Sequence, residues 1–186
     1  MLPRHKYLLS YRYSEIIHDL TVEFCLKFLL GFDNRRTREQ MIHAARSGKQ
    51  NIVEGVGQGR TSKKGEIKLL GVANASLEEL ISDYEDFLRQ RGFEIWPKTD
   101  KRIADFRKIG YRLSALSNLS DLGELKEKPI LPKDQEEAAN FLLTLCHQAT
   151  FLLSMQINKA EETFIKEGGF TENLFKKRLN SKIRVS

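Results

Sequence analysis

The chain is poor both in residues that interrupt helices and in patterns that build sheets. It has four prolines in 186 residues, two of them close together at Pro129 and Pro132, so most of it can run in long helices. No run of alternating Val, Ile and Thr occurs, which argues against a sheet protein. Two cysteines, Cys25 and Cys146, are too few for a disulfide framework. Both sit inside apolar helical patterns and read as reduced core thiols of a cytoplasmic protein, with a single disulfide as the other arrangement open to them. The N-terminal MLPRHKYLLSYRYSE lacks the apolar stretch of a signal peptide. No run of about 18 uncharged apolar residues is present, so no membrane partner is expected. What remains is 40% hydrophobic and 30% charged. At roughly 150 residues per domain this is one domain, 1–186, long enough to bury a core without staples.

Helical periodicity accounts for most of the length. Residues 1–13 mix Tyr with basic residues and read as an irregular arm. Ser14 is placed to cap a helix running to about Leu30, with Ile17, Leu20, Phe24 and Phe28 on one face and Gly31 at its end. Thr37 and Gln40 form a capping-box start for the next helix. Met41, Ala45, Gly48 and Ile52 make a stripe with small members that allows close approach of another backbone, and Gly55 is the expected C-cap. Ser62 caps the third helix. There Ile67, Leu70, Asn74, Leu77, Ile81, Tyr84 and Leu88 alternate steps of three and four, a heptad seam that predicts near-parallel packing at about 20°. Asn74 is the polar member of that seam, and Gly92 ends the helix. Trp96-Pro97 marks a break, and residues 97–133 read as an insertion: a helix from Asp100 to Ser117, then a partly extended connector. Asp134 caps a long helix to about Lys166 whose apolar residues cover more than one stripe. Gly168-Gly169 ends it, and 168–186 forms a basic tail with a helix from Thr171 to about Asn180.

Charge is unevenly distributed along a chain of net charge +6. Between Arg35 and Lys64 lie eight basic residues against Glu39 and Glu54. Between Leu77 and Glu94 the sign reverses, with Glu78, Glu79, Asp83, Glu85, Asp86 and Glu94 against Arg89 and Arg91. Such segments suit pairing between subunits as well as binding of a ligand.

Chemical motifs are few. The turn GVGQGRT lacks the spacing of a phosphate loop between Gly55 and Gly59, carries Arg60 in place of the lysine, and follows a helix where a strand is required. Arg60, Lys63 and Lys64 nevertheless surround a helix start, where free N–H groups favour an anion; a merely solvated basic turn is the plainer alternative. Glu15 and His18 form one Glu-x-x-His pair, and a di-metal bundle site needs a second. No metal or cofactor is therefore expected, and nothing marks a catalytic set. Arg46, Ser47, Asn51 and Glu54, facing Ser76 and Glu79, are either a hydrogen-bonded key between two helices or a phosphate-contacting group.

In order along the chain, Gln40-Met-Ile-His-Ala-Ala-Arg-Ser47, Asn51-Ile-Val-Glu-Gly55, Gly59-Arg-Thr-Ser62 and Val72-Ala-Asn-Ala-Ser-Leu-Glu-Glu-Leu80 resemble the four-helix bundle proteins encoded by intervening sequences of 23S ribosomal RNA genes. The later LLTLCHQATFLLSMQINKAEETFIKEGGFTENLFKKR resembles their "suffix" subgroup. A more distant likeness is to the accessory variability determinant of diversity-generating retroelements, a basic pentameric bundle that binds nucleic acid and a reverse transcriptase. His43 departs from the pattern, which more often has a basic residue there, and the 97–133 insertion lengthens this chain. The resemblance implies a ring-forming bundle, with a pentamer expected. It carries no catalytic residue, and its matched positions here are Arg46, Ser47, Asn51, Glu54, Gly55, Arg60, Ser76 and Glu79.

The expectation is an all-α, up-and-down antiparallel four-helix bundle with an additional helix and a short basic C-terminal helix. It would act as a non-enzymatic homo-oligomeric accessory protein that binds RNA or DNA through Arg46, Asn51, Arg60, Lys63, Lys64, Lys176, Lys177 and Arg178. The alternative is a scaffold for a partner enzyme such as a reverse transcriptase.

Overall fold

A computed structural model describes residues 1–183; Arg184, the last basic residue of the expected tail, lies outside the described residues. Among the described residues the protein is all helical, and the only strand-like feature is a single bridge between Leu119 and Leu125. The helices are α1 (Leu9–Phe28), α2 (Arg35–Gln58), α3 (Lys63–Gln90), α4 (Lys101–Leu113), α5 (Gln135–Glu167) and α6 (Phe170–Ile183). α1 packs on α2 and α5, α3 packs on the same two helices, and α4 lies on α5. Their shared core is apolar and tightly filled. Phe24 meets Tyr84 and Phe87 edge-on at 5.2 and 4.8 Å, and the Tyr84 hydroxyl finds Thr21 Oγ1 at 2.9 Å. A buried phenol needs such a partner, because leaving it unpaired costs about 1–3 kcal/mol.

The expected N-terminal arm is corrected. A 3-10 turn, Arg4–Tyr7, leads directly into α1, and Tyr11, Arg12, Tyr13 and Ser14 are all buried. Arg12 explains why a basic residue is tolerated there. Its Nε donates to the Ser114 carbonyl and its Nη1 to the Lys6 carbonyl, the latter at 2.8 Å. Ser14 is therefore no cap: it lies inside the helix, and its hydroxyl donates to the Ser10 carbonyl at 2.9 Å. The alternating Tyr and Arg pattern hides an inward face because Arg12 is satisfied in part by the Ser114 carbonyl, distant in sequence.

Two further helix ends differ from expectation. α2 starts at Arg35 without a side-chain cap, so the Thr37 capping box does not form. Asn34 Nδ2 donates back to the Leu30 carbonyl at 2.7 Å, closing the turn from outside the helix. α2 also runs through Gly55 to Gln58. Gly55 is buried against α3, and a Cβ there would sit 3.4 Å from both the Glu66 carbonyl oxygen and Leu69. Close helix contact, not a left-handed turn, is what this glycine serves.

Other ends match. Ser62 accepts from the Gly65 N–H, Asp100 from Arg102 N–H, and Asp134 from both Glu136 and Glu137 N–H. Past α3, Gly92 takes φ 71°. Its N–H bonds the Arg89 carbonyl while that of Phe93 bonds Leu88, the paired closure of a Schellman end. Gly168, at φ 74°, closes α5. α4 stops at Leu113, short of the expected Ser117, with Ser114 as its C-cap and the Ser114 hydroxyl on the Gly110 carbonyl at 2.8 Å.

α5 is apolar on several sides because α1, α3 and α4 enclose it. By length and composition it passes as a membrane-crossing helix, but 67% of its most apolar window is buried inside the protein. Both cysteines are free and buried. Burial pushes the Cys25 thiol up to about 12 and raises that of Cys146 as well.

Candidate nucleic-acid interface

The hairpin of α2 and α3 carries most of the predicted site residues. Small residues let its helices approach. Gly48 is buried, and a Cβ on it would lie 3.0 Å from the Leu77 side chain. Gly48 opposite Leu77 and Gly55 opposite Leu70 set the two helices in opposite directions. Along the seam Leu70, Leu77, Ile81, Tyr84 and Leu88 are buried. Ile67 and Asn74 are half-buried, and the buried Oδ1 of Asn74 has no hydrogen-bond partner.

Beside the seam, the polar group divides by role. Ser47 Oγ and Ser76 Oγ lie 2.9 Å apart across the hairpin. Asn51 Nδ2 donates to the Ser47 carbonyl at 2.9 Å and to its hydroxyl at 3.2 Å. Ser76 closes the chain of bonds by donating to the Val72 carbonyl at 3.0 Å. Asn51 thus commits its amide NH2 to Ser47 on its own helix, and the Ser47–Ser76 pair is the bond that crosses to α3. Arg46, Glu54 and Glu79 are exposed and stand outside this network.

The hairpin turn is ordered by its own atoms. Thr61 and Ser62 N–H both bond the Gln58 carbonyl, at 2.9 and 2.8 Å. Lys63 Nζ pairs with Glu66 Oε2 at 2.7 Å, and the Glu66 carboxylate packs over Gly59. The start of α3 therefore already has a carboxylate and a serine hydroxyl near its N–H groups. That fills part of the place sequence reasoning assigned to a bound anion, and it removes Lys63 from the free cations. Arg60 and Lys64 remain exposed.

Arg60 lies in the turn past the Gly59 C-cap of α2, while Arg46 is exposed on α2 itself. Arg36 and His43 are exposed on the same helix. On α6, Lys176, Lys177 and Arg178 are exposed. α3 carries the opposite charge. Glu78, Glu79 and Asp86 are exposed, and the half-buried Asp83 lines a groove of about 770 Å³ with Arg36, His43 and Glu79. Burial first, then the nearby Glu79 and Asp86 charges, push the Asp83 carboxyl up from 3.8 to about 6.

Glu15 and His18 are both committed elsewhere. Glu15 accepts from Lys6 Nζ at 2.6 Å and from the Tyr11 hydroxyl at 3.0 Å, while His18 Nδ1 lies 3.2 Å from Lys49 Nζ. Among the described residues no cluster of three or more His, Cys, Asp or Glu side chains is placed to hold a metal. Sequence reasoning missed the Asn140 clamp on the loop after α3. Its side chain accepts from Trp96 N–H at 2.9 Å and donates to the Glu94 carbonyl at 3.0 Å. The only available signal was an Asn in an otherwise apolar stretch of α5.

What these features define is an all-helical protein with a basic face on α2 and an acidic one on α3. No protein-family model, curated protein or solved structure matches the chain.

Proposed function

We propose that the protein is an up-and-down antiparallel four-helix bundle of α1, α2, α3 and α5, with α4 as an added layer. On the sequence resemblance it is a cytoplasmic member of the family encoded by 23S rRNA intervening sequences. It acts as a non-enzymatic, homo-oligomeric accessory protein, a pentamer on the same resemblance, that binds the phosphate backbone of RNA or DNA. The observation that carries the reading is the exposed cations Arg46 on α2, Arg60 in the hairpin turn and Lys64 at the start of α3, none of which has an ion-pair partner among the described residues. Lys176 and Lys177 extend the set on α6. Asn51 and Lys63 leave it, being held by Ser47 and Glu66.

Arg46, Arg60 and Lys64 contribute about −2 to the log–log salt slope for a single strand and about −3 for a duplex, and Lys176 and Lys177 bring it to about −3.5 and about −4.5. The test is anisotropy of a short labelled RNA and DNA across a salt series, with the R46Q/R60Q/K64Q variant alongside. Retention at low salt that falls with this slope, and is lost in the variant, supports the reading. Absence of binding at low salt ends it.

One observation favours a scaffold. The Asp83 carboxyl is raised by burial and its two acidic neighbours and makes no ion pair among the described residues, although Arg36 lines the same groove, so a basic surface from a second copy or a partner enzyme would be favoured there. A stoichiometric protein partner that survives nuclease treatment supports that alternative.

A further inference from the structure

A cleft on the far side of the molecule from the hairpin turn is built around Trp96, the only tryptophan in the chain. The indole is fixed on every side. Its backbone N–H bonds Asn140 Oδ1 and its Nε1 donates to Glu136 Oε1, both at 2.9 Å. The Arg102 guanidinium covers one face at 3.4 Å from the ring centroid, and Phe106 stacks at 5.9 Å. Asn140 is itself 1% exposed and holds the Glu94 carbonyl as well. The loop from Glu94 to Lys98 is therefore tied to the first turns of α5, which fixes the wall that Trp96 contributes to the space beside it.

That space is a cleft of about 660 Å³, within the range of about 300–1,000 Å³ usual for small-molecule sites. Its apolar walls include Trp96, Ile103, Leu143 and Phe151. Every ionisable residue on its lining, Lys98, Arg107 and His147, is basic, and no carboxylate lines it. Lys98 and Arg107 are exposed and have no ion-pair partner among the described residues. Glu78 and Glu85 act on His147 from α3 rather than from the cleft wall, and the Glu136 carboxylate is spent on Trp96 Nε1 outside the lining. Phe151 and Ile95 lie at 65% and 49% exposure beside the opening. A preformed apolar slot with unpaired cations matches one kind of ligand: an apolar body carrying a single acid group.

We propose that this cleft binds an amphipathic organic monoanion, with its acid group at Lys98 and Arg107 and its apolar body against Trp96, Leu143 and Phe151. The site is independent of the nucleic-acid reading and shares no residue with it. Trp96 supplies its own reporter. Decanoate, decanol and decylammonium are titrated against the intact protein below their aggregation limits, with indole emission and calorimetric stoichiometry as readouts. Decanoate is expected to saturate at one per chain and shift the emission, with the uncharged and cationic analogues weaker by about tenfold or more. K98Q/R107Q, two exposed changes, is expected to erase the preference for decanoate while leaving the helical circular dichroism intact. F151A, also exposed, is expected to weaken all three alike. No emission change and no heat with decanoate overturns the proposal. So does equal binding of the three compounds, or a preference that K98Q/R107Q leaves unchanged.

Discussion

Asp83→Asn is expected to stabilise the protein at neutral pH and to do nothing at acidic pH. The folded-state carboxyl is raised from 3.8 to about 6, by burial and by repulsion from Glu79 and Asp86. A raised carboxyl pKa means that the folded state holds the proton more tightly than the unfolded chain. Its destabilising effect is absent below the unfolded value, grows between about pH 4 and 6, and is fully present above. At about 1.4 kcal/mol per pH unit the ceiling is near 3 kcal/mol. Asp83 is only half-buried, so solvent screening reduces this to about 1 kcal/mol. Asparagine keeps the shape and removes the charge. Urea unfolding is expected to give a gain of about 1 kcal/mol at pH 7.5, or about 2–4 °C in melting temperature, with no difference near pH 3.5. A loss at pH 7.5, or an equal change at both pH values, refutes the reasoning. A loss accompanied by a fall in oligomer mass would show that a cation from another copy satisfies Asp83.

Gly48→Val, at a buried position that already touches Leu77, is expected to cost about 1–3 kcal/mol by overpacking the hairpin, read by chemical denaturation. Ser62→Ala removes the acceptor of the Gly65 N–H and is expected to cost about 1 kcal/mol, with exchange of the first amides of α3 speeding up. Asn140→Ala strips the clamp from Trp96 N–H and the Glu94 carbonyl. It is expected to cost about 2–4 kcal/mol and to move indole emission to the red as the loop loosens. Both thiols, buried and raised in pKa, are expected to resist Ellman's reagent at pH 8 in the native state and to react at once in denaturant.

Local chemistry was legible where one residue decides the outcome. Ser62 and Asp134 cap helices because their oxygens reach backbone N–H groups two or three residues on. Gly92 and Gly168 end helices because they accept positive φ. Misreadings arose where a distant contact overrides local preference. Gly55 has the look of a terminator, but the nearness of α3 makes it a contact residue inside α2. The segment from Tyr11 to Ser14 looks polar enough for an arm, until the Ser114 carbonyl, far along the chain, accepts from Arg12. In the candidate interface the residue types were readable, but their commitments were not. Nothing local distinguishes Lys63, bound to Glu66, from Lys64 beside it, or Asn51, bound to Ser47, from Arg46. The cleft at Trp96 was invisible in sequence because its walls come from a loop and two helices joined only by folding.

The bond from Arg12 to Ser114 spans 102 positions, and that separation has a meaning during synthesis. At about 5–20 residues per second, Ser114 is made roughly 5–20 s after Arg12. During that interval the nascent α1–α3 segment carries a guanidinium destined for the interior with no carbonyl from α4 to receive it. The first turns of α1 therefore stay hydrated while the hairpin behind them forms. Burial of Arg12 therefore waits for α4, and with it for α5, on which α4 lies.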